Sequence, residues 1–153
     1  MSPLLLIIFV RLAHAVPGDI RPATATQPRP PATIEELARD LDDSDRPTRL
    51  LAARELRRRV RVAVKAGGRP GSIAELESRA ELAALTRSAV PACLAALEDE
   101  TTAAPCADIL ARLAAPEACR PLSAAAEDHD GRTRRVIDRS IARLGTVCAT
   151  DAE

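Results

Sequence analysis

The side chains with chemistry to offer are four cysteines, one histidine outside the N-terminal run, and a dense row of arginines. Cys93, Cys106, Cys119 and Cys148 are separated by 12, 12 and 28 residues. A zinc site wants closely spaced ligand pairs, and only His129 is at hand to join these cysteines, so the spacing argues against a metal centre. Dithiol redox catalysis usually carries Cys-x-x-Cys, which does not occur here. An even number of cysteines in a small exported domain favours two disulfides. Buried reduced thiols filling core positions are the alternative if the chain is not exported. His129 lies between Asp128 and Asp130, with no nucleophile, metal motif or phosphate-binding loop beside it, and reads as a surface turn residue. Neither catalysis nor a cofactor is expected.

The arginines concentrate in Asp45 to Lys65, which holds eight basic residues against one Asp and one Glu. Arg54, Arg57, Arg58, Arg61 and Lys65 follow helical spacing opposite the apolar stripe Ala52, Leu56, Val60 and Ala63, so they form a continuous basic ridge on one helix. The preceding segment carries Glu35, Glu36, Asp40, Asp42, Asp43 and Asp45, and an antiparallel hairpin would bring these acids toward the arginines. Over the whole chain 22 basic and 22 acidic residues cancel, so any pull on polyanions is local. Nucleic-acid readers add groove-fitting motifs or aromatic stacking platforms to such charge, and neither is present. Nucleic acid is therefore disfavoured; the leading reading is a solvated, partly paired helix face, followed by a surface for an acidic protein or an anionic envelope polymer.

The elements that carry these residues read as helices. The only aromatic residue, Phe9, lies in the N-terminal apolar run, so the folded body must build its core from Leu, Ile, Val and Ala. Small side chains and good helix formers point to all-α packing. Thr33-Ile-Glu-Glu36 is a capping box opening a short helix with Ile34, Leu37, Ala38 and Leu41 on one face. Pro47 suits the first turn of the next helix, which runs to about Lys65. The glycines of 66–72 break the chain, and Ser72-Ile-Ala-Glu75 opens a helix with Ile73, Leu76, Ala80 and Ala83 on its apolar side. Pro91 is expected to start a new helix or kink this one. Cys106, Ile109, Leu110 and Leu113 line a short helix; Pro116-Glu117 begins the next; Val136, Ile137, Ile141 and Leu144 line the last, with Gly145 as its expected cap.

At the N-terminus, seven consecutive apolar residues, Leu4 to Val10, precede Ala13-His14-Ala15, a small-x-small pattern for signal cleavage after Ala15. The expected organisation is a signal peptide over 1–15, a Pro-rich linker over 16–32, a helical domain over 33–145 and a tail over 146–153. Export to the periplasm or beyond follows, with no transmembrane segment expected in the mature chain.

Three helical hairpins line up, each with an acidic turn: Leu41 to Asp45, Leu97 to Thr101, and Ala126 to Asp130. Asp45-Arg-Pro-Thr-Arg49 matches Asp130-Gly-Arg-Thr-Arg134 most closely. Short helix, acidic turn and an Arg near the start of a second helix resemble the HEAT-repeat family of α-solenoids. The resemblance covers roughly 34 to 145, interrupted by 66 to 88, and the middle hairpin departs from it, with Thr101 and Pro105 in place of Asp and Arg. It implies a short stack of antiparallel hairpins in which Asp45, Arg49, Asp130 and Arg134 help fix neighbouring units, and a protein-binding scaffold role. Some relatives with similar repeats assist enzymes, so the fold alone does not exclude catalysis.

Hairpin geometry favours the pairs Cys93–Cys106 and Cys119–Cys148, because folding about the turns brings each pair to a similar height. Such bridges, at about 3 kcal/mol each, would support a small core without aromatics. The functional expectation is an exported, disulfide-stapled interaction module for a protein partner, the alternative being a binder of an anionic partner through Arg54, Arg57, Arg58, Arg61 and Lys65.

Overall fold

The computed structural model describes residues 32–66 and 73–149. The leader expected over 1–15, nearly all of the Pro-rich stretch and the Ser72 cap lie outside the described residues. Among the described residues there are six α-helices and no strand: α1 (Ile34–Asp40), α2 (Arg46–Ala66), α3 (Ile73–Ala95), α4 (Ala103–Arg112), α5 (Cys119–Asp128) and α6 (Gly131–Ala149). Short 3-10 turns at Ala96–Glu98 and Pro116–Ala118 lead out of α3 and into α5.

The Thr33 capping box forms as expected. Thr33 Oγ1 accepts from the Glu36 N–H at 3.1 Å, and Glu36 Oε2 accepts from the Thr33 N–H at 2.7 Å. Asp45 caps α2 by accepting from both the N–H and the hydroxyl of Thr48. Helix α4 ends in a left-handed residue, Ala114 at φ 51°, where a glycine is more usual. The Ala115 N–H then reaches back to the Leu110 carbonyl at 3.2 Å, satisfying one of the helix's terminal acceptors.

Consecutive helices form hairpins α1–α2, α3–α4 and α5–α6, and alternate helices also touch. In one row α1 packs on α3, whose 3-10 extension packs on α5; in the other α2 packs on α4 and α4 on α6. The core between the rows is aliphatic, with Leu56, Val60, Leu85, Ile109, Leu110, Leu122, Ile137 and Leu144 all but sealed from solvent.

Three local expectations are corrected. Helix α3 does not restart at Pro91 but continues through it, the proline sitting exposed and leaving the Arg87 carbonyl without its usual N–H partner four residues on. Its buried side is Ser78, Leu85, Ala89, Val90 and Cys93, whereas Ile73 (76% exposed) and Leu76 (64%) point outward. Gly145 does not end α6: the helix continues to Ala149, with Val147 and Cys148 packed against the core.

By length and composition the stretch Glu75–Glu98 could cross a membrane. In this fold Leu85, Ala89, Val90 and Cys93 of that stretch are core residues.

Candidate functional site

The stripe expected to face inward from α2 does so: Ala52, Leu56, Val60 and Ala63 are buried, joined by Ala53. The opposite face therefore carries the basic ridge, and the structure splits it in two. Arg54 and Lys65 are exposed, and Arg58, 63% exposed, forms a two-pronged ion pair with Glu55 one turn back, at 2.8 and 2.6 Å. Arg57 and Arg61 turn instead toward α4. Arg57 Nε donates to Asp108 Oδ2 at 2.6 Å, and an Arg61 amine lies 3.6 Å from the same oxygen.

The acids of α1 and its turn are thus not the ridge's recorded partners. Helix α1 packs on the apolar side of α2, and Asp43 and Asp45 are occupied in shaping the turn. The acid that faces the ridge is Asp108, whose side chain is only 12% exposed. It also accepts from Arg112 Nε at 3.1 Å to each oxygen, and from an Arg143 terminal amine at 3.2 Å. Burial pushes the Asp108 carboxyl up, but hydrogen bonds from Arg112 and Arg57 and their charges outweigh it and hold the group below the ordinary aspartate range.

Four guanidinium groups from three helices therefore surround one carboxylate. Their six mutual repulsions act beside four attractions, and the excess positive charge is left facing a cavity of about 190 Å³ lined additionally by Val136, Arg139 and Ser140. Sequence reasoning missed Asp108, Arg112, Arg139 and Arg143. Two signals were there to find: Arg112 follows Asp108 by four residues, and Arg132, Arg135, Arg139 and Arg143 recur along one side of α6 at helical spacing.

A second cluster ties the turns together. Arg49, expected to help fix neighbouring units, donates to the carbonyls of Asp43 and Ser44 within its own turn, and its Nε donates to Asp99 Oδ2 of the next turn at 2.7 Å. Arg46 Nε adds a bond to Thr101 Oγ1 at 2.8 Å. From the third turn His129 reaches the Leu97 carbonyl at 2.7 Å; a carbonyl can only accept, so Nε2 carries the proton. His129 is therefore a half-buried strut between turns, not a free surface residue. Arg134 repeats the backbone half of the Arg49 pattern, its N–H donating to the Asp130 carbonyl as that of Arg49 does to Asp45, but not the side-chain half: its exposed guanidinium has no acid partner among the described residues.

Cys119 and Cys148 form a disulfide, with Cα atoms 5.6 Å apart, closing the open end of the last hairpin. Cys93 and Cys106 are brought together as expected but stand as buried free thiols and not as a bridge. Their mutual hydrogen bond, then burial, pushes Cys106 well above the ordinary thiol range. A neutral, enclosed thiol is a poor nucleophile and a poor metal ligand.

Compared with family models, curated proteins and solved structures, the chain matches none of them.

Proposed function

We propose that the chain is an exported, non-enzymatic helical-repeat module of HEAT-like build that docks an acidic protein partner on the face formed by α2, α4 and α6. One observation carries this reading: three alternate helices contribute their arginines to the same face, and the outermost, Arg54, Arg58 and Lys65, remain exposed and reachable. The HEAT-like assignment draws on the two rows of helices and on Arg49, which bridges consecutive turns as the family's turn arginine would. Export draws on the Ala13-His14-Ala15 pattern and on the Cys119–Cys148 disulfide, a bond that persists in oxidising compartments.

The test is fluorescence anisotropy with a labelled Asp/Glu-rich peptide over a range of salt concentrations. Wild-type affinity should fall steeply with salt, and replacing Arg54, Arg58 and Lys65 together by Gln should weaken it about tenfold or more. Equal binding by the triple variant, or binding indifferent to salt, refutes the docking face. Tighter binding of a heparin-like polymer or single-stranded DNA than of the peptide would reassign the partner class.

A further inference from the structure

We infer that the cavity beside Asp108 is a binding site for a phosphate-type dianion, gripped by the terminal N–H groups of Arg57, Arg112 and Arg139. Arg57 and Arg112 each direct Nε onto Asp108, and Arg139 directs Nε onto the Arg135 carbonyl at 3.1 Å. Among the described residues no protein acceptor is recorded for the terminal nitrogens of these three side chains. Anchoring a guanidinium by Nε fixes its plane and leaves its outer edge, the edge that matches two oxygens of a phosphate, free to bind.

The ligand class follows from charge, shape and room. One carboxylate already sits among the arginines and does not neutralise them, so the ligand must bring more than one negative charge. It must offer oxygens toward α2, α4 and α6 at once, which a tetrahedral oxyanion does and a flat carboxylate does not. About 190 Å³ equals roughly six waters at ~30 Å³ each, enough for a phosphate group and its nearest waters. Pockets for drug-sized ligands begin near ~300 Å³, so a whole nucleotide is too large to be enclosed. Ser140 lines the cavity with its hydroxyl donated to the Val136 carbonyl, which leaves the arginines as the donors. Half-exposed Arg61 and Arg143 stand around the cavity and keep it reachable from solvent.

The site lies on the same face as the peptide-docking reading but uses arginines other than Arg54, Arg58 and Lys65, so the triple Gln variant tells the two apart. The experiment titrates inorganic phosphate into the full chain, with chloride at matched ionic strength as reference, following amide NMR shifts and thermal unfolding. A second arm floats the protein with phosphatidylcholine vesicles with and without phosphatidic acid. Saturable shifts around α2, α4 and α6 that chloride does not produce support a free phosphate ligand; binding only to phosphatidic acid vesicles supports a lipid phosphate in the same cavity.

In either case Arg139→Gln, whose Nε is anchored on the Arg135 carbonyl within its own helix, should weaken phosphate binding about tenfold, whereas replacing Arg54, Arg58 and Lys65 by Gln should leave phosphate binding as in wild type. Asp108→Asn removes the resident anion and should tighten phosphate binding several-fold, a sign that a purely structural ion-pair cluster would not give. If Asp108→Asn does not fold, Arg139→Gln decides alone. No saturable response beyond chloride in either arm, or an Arg139→Gln variant that binds as well as wild type, overturns the inference.

Discussion

Asp108 concentrates the physics of the site into one side chain. Its folded-state pKa lies below the unfolded value, as do those of Asp99 and Glu55. For Asp99 burial works upward and is outweighed by bonds from the Thr101 N–H and Arg49; for Glu55 the Arg58 hydrogen bond leads, against opposing burial. A depressed carboxyl binds its proton less readily when folded, so its contribution is complete above the unfolded range near ~4 and is lost as pH falls through the folded value. Stability from urea titrations should therefore be level near neutrality and drop below about pH 4. Asp108→Asn should flatten part of that acid decline and, because its partners stay 25–51% exposed, cost about 1–2 kcal/mol at neutral pH, less than breaking a fully buried pair. An unchanged acid limb would show that Asp108 is not held ionised by the arginines. The ridge was legible in the sequence because helical spacing is local. Its partner was not: Arg57 lies 51 residues from Asp108 and Arg143 lies 35 away, and charge pattern alone does not say which helix will face which.

Helix α3 shows where periodicity runs out. It carries two apolar stripes at helical spacing, Ile73-Leu76-Ala80-Ala83 and Leu82-Leu85-Ala89-Cys93, and hydrophobicity does not choose between them. Ser78 contributes to the choice: its hydroxyl donates to the Ala63 carbonyl at 2.6 Å, satisfying one of the acceptors left over in the last turn of α2. That bond turns the Ser78 side of α3 toward α2 and sends Ile73 and Leu76 outward. Helices α1, α2, α4 and α6 each have one dominant stripe, and there the expected residues are the buried ones, with only Ala38, Leu113, Val136 and Ile141 left partly covered. The two stripes of α3 can be told apart by paired substitutions read by chemical denaturation. Leu85→Ala should cost about 2–5 kcal/mol, as for a sealed core leucine. Leu76→Gln, at 64% exposure, should change stability by no more than about 0.5 kcal/mol. The reverse ranking would mean that α3 packs on its other face.

At the scale of the molecule, the helices of all three hairpins contribute to one aliphatic core and pack on one another. Arg49 with Asp99 and His129 with the Leu97 carbonyl couple the three turns at one end of the hairpins. At the open end of the last hairpin the covalent tie is Cys119–Cys148. Hairpin register foretold both cysteine neighbourhoods because it sets height along a helix; it did not say that Cys93 and Cys106 would stay reduced, since proximity is geometry and bond formation is redox chemistry. Intact mass should therefore rise by about two daltons on reduction, with Cys93 and Cys106 alkylated only after unfolding; a rise of about four daltons would mean the inner pair is bridged as well. Closing a loop of this span restricts the unfolded chain by about 3.5 kcal/mol. Because α5 and α6 have neighbours on one side only, the cost of losing the bridge should fall first on them. Cys119→Ser with Cys148→Ser should give an early unfolding step with amide exchange confined to α5 and α6, followed by a main transition carrying α2, α3 and α4. A single transition, merely shifted, would show instead that the three hairpins unfold as one unit even without the staple, and that the turn contacts, with the shared aliphatic core, suffice to couple the last hairpin to the rest.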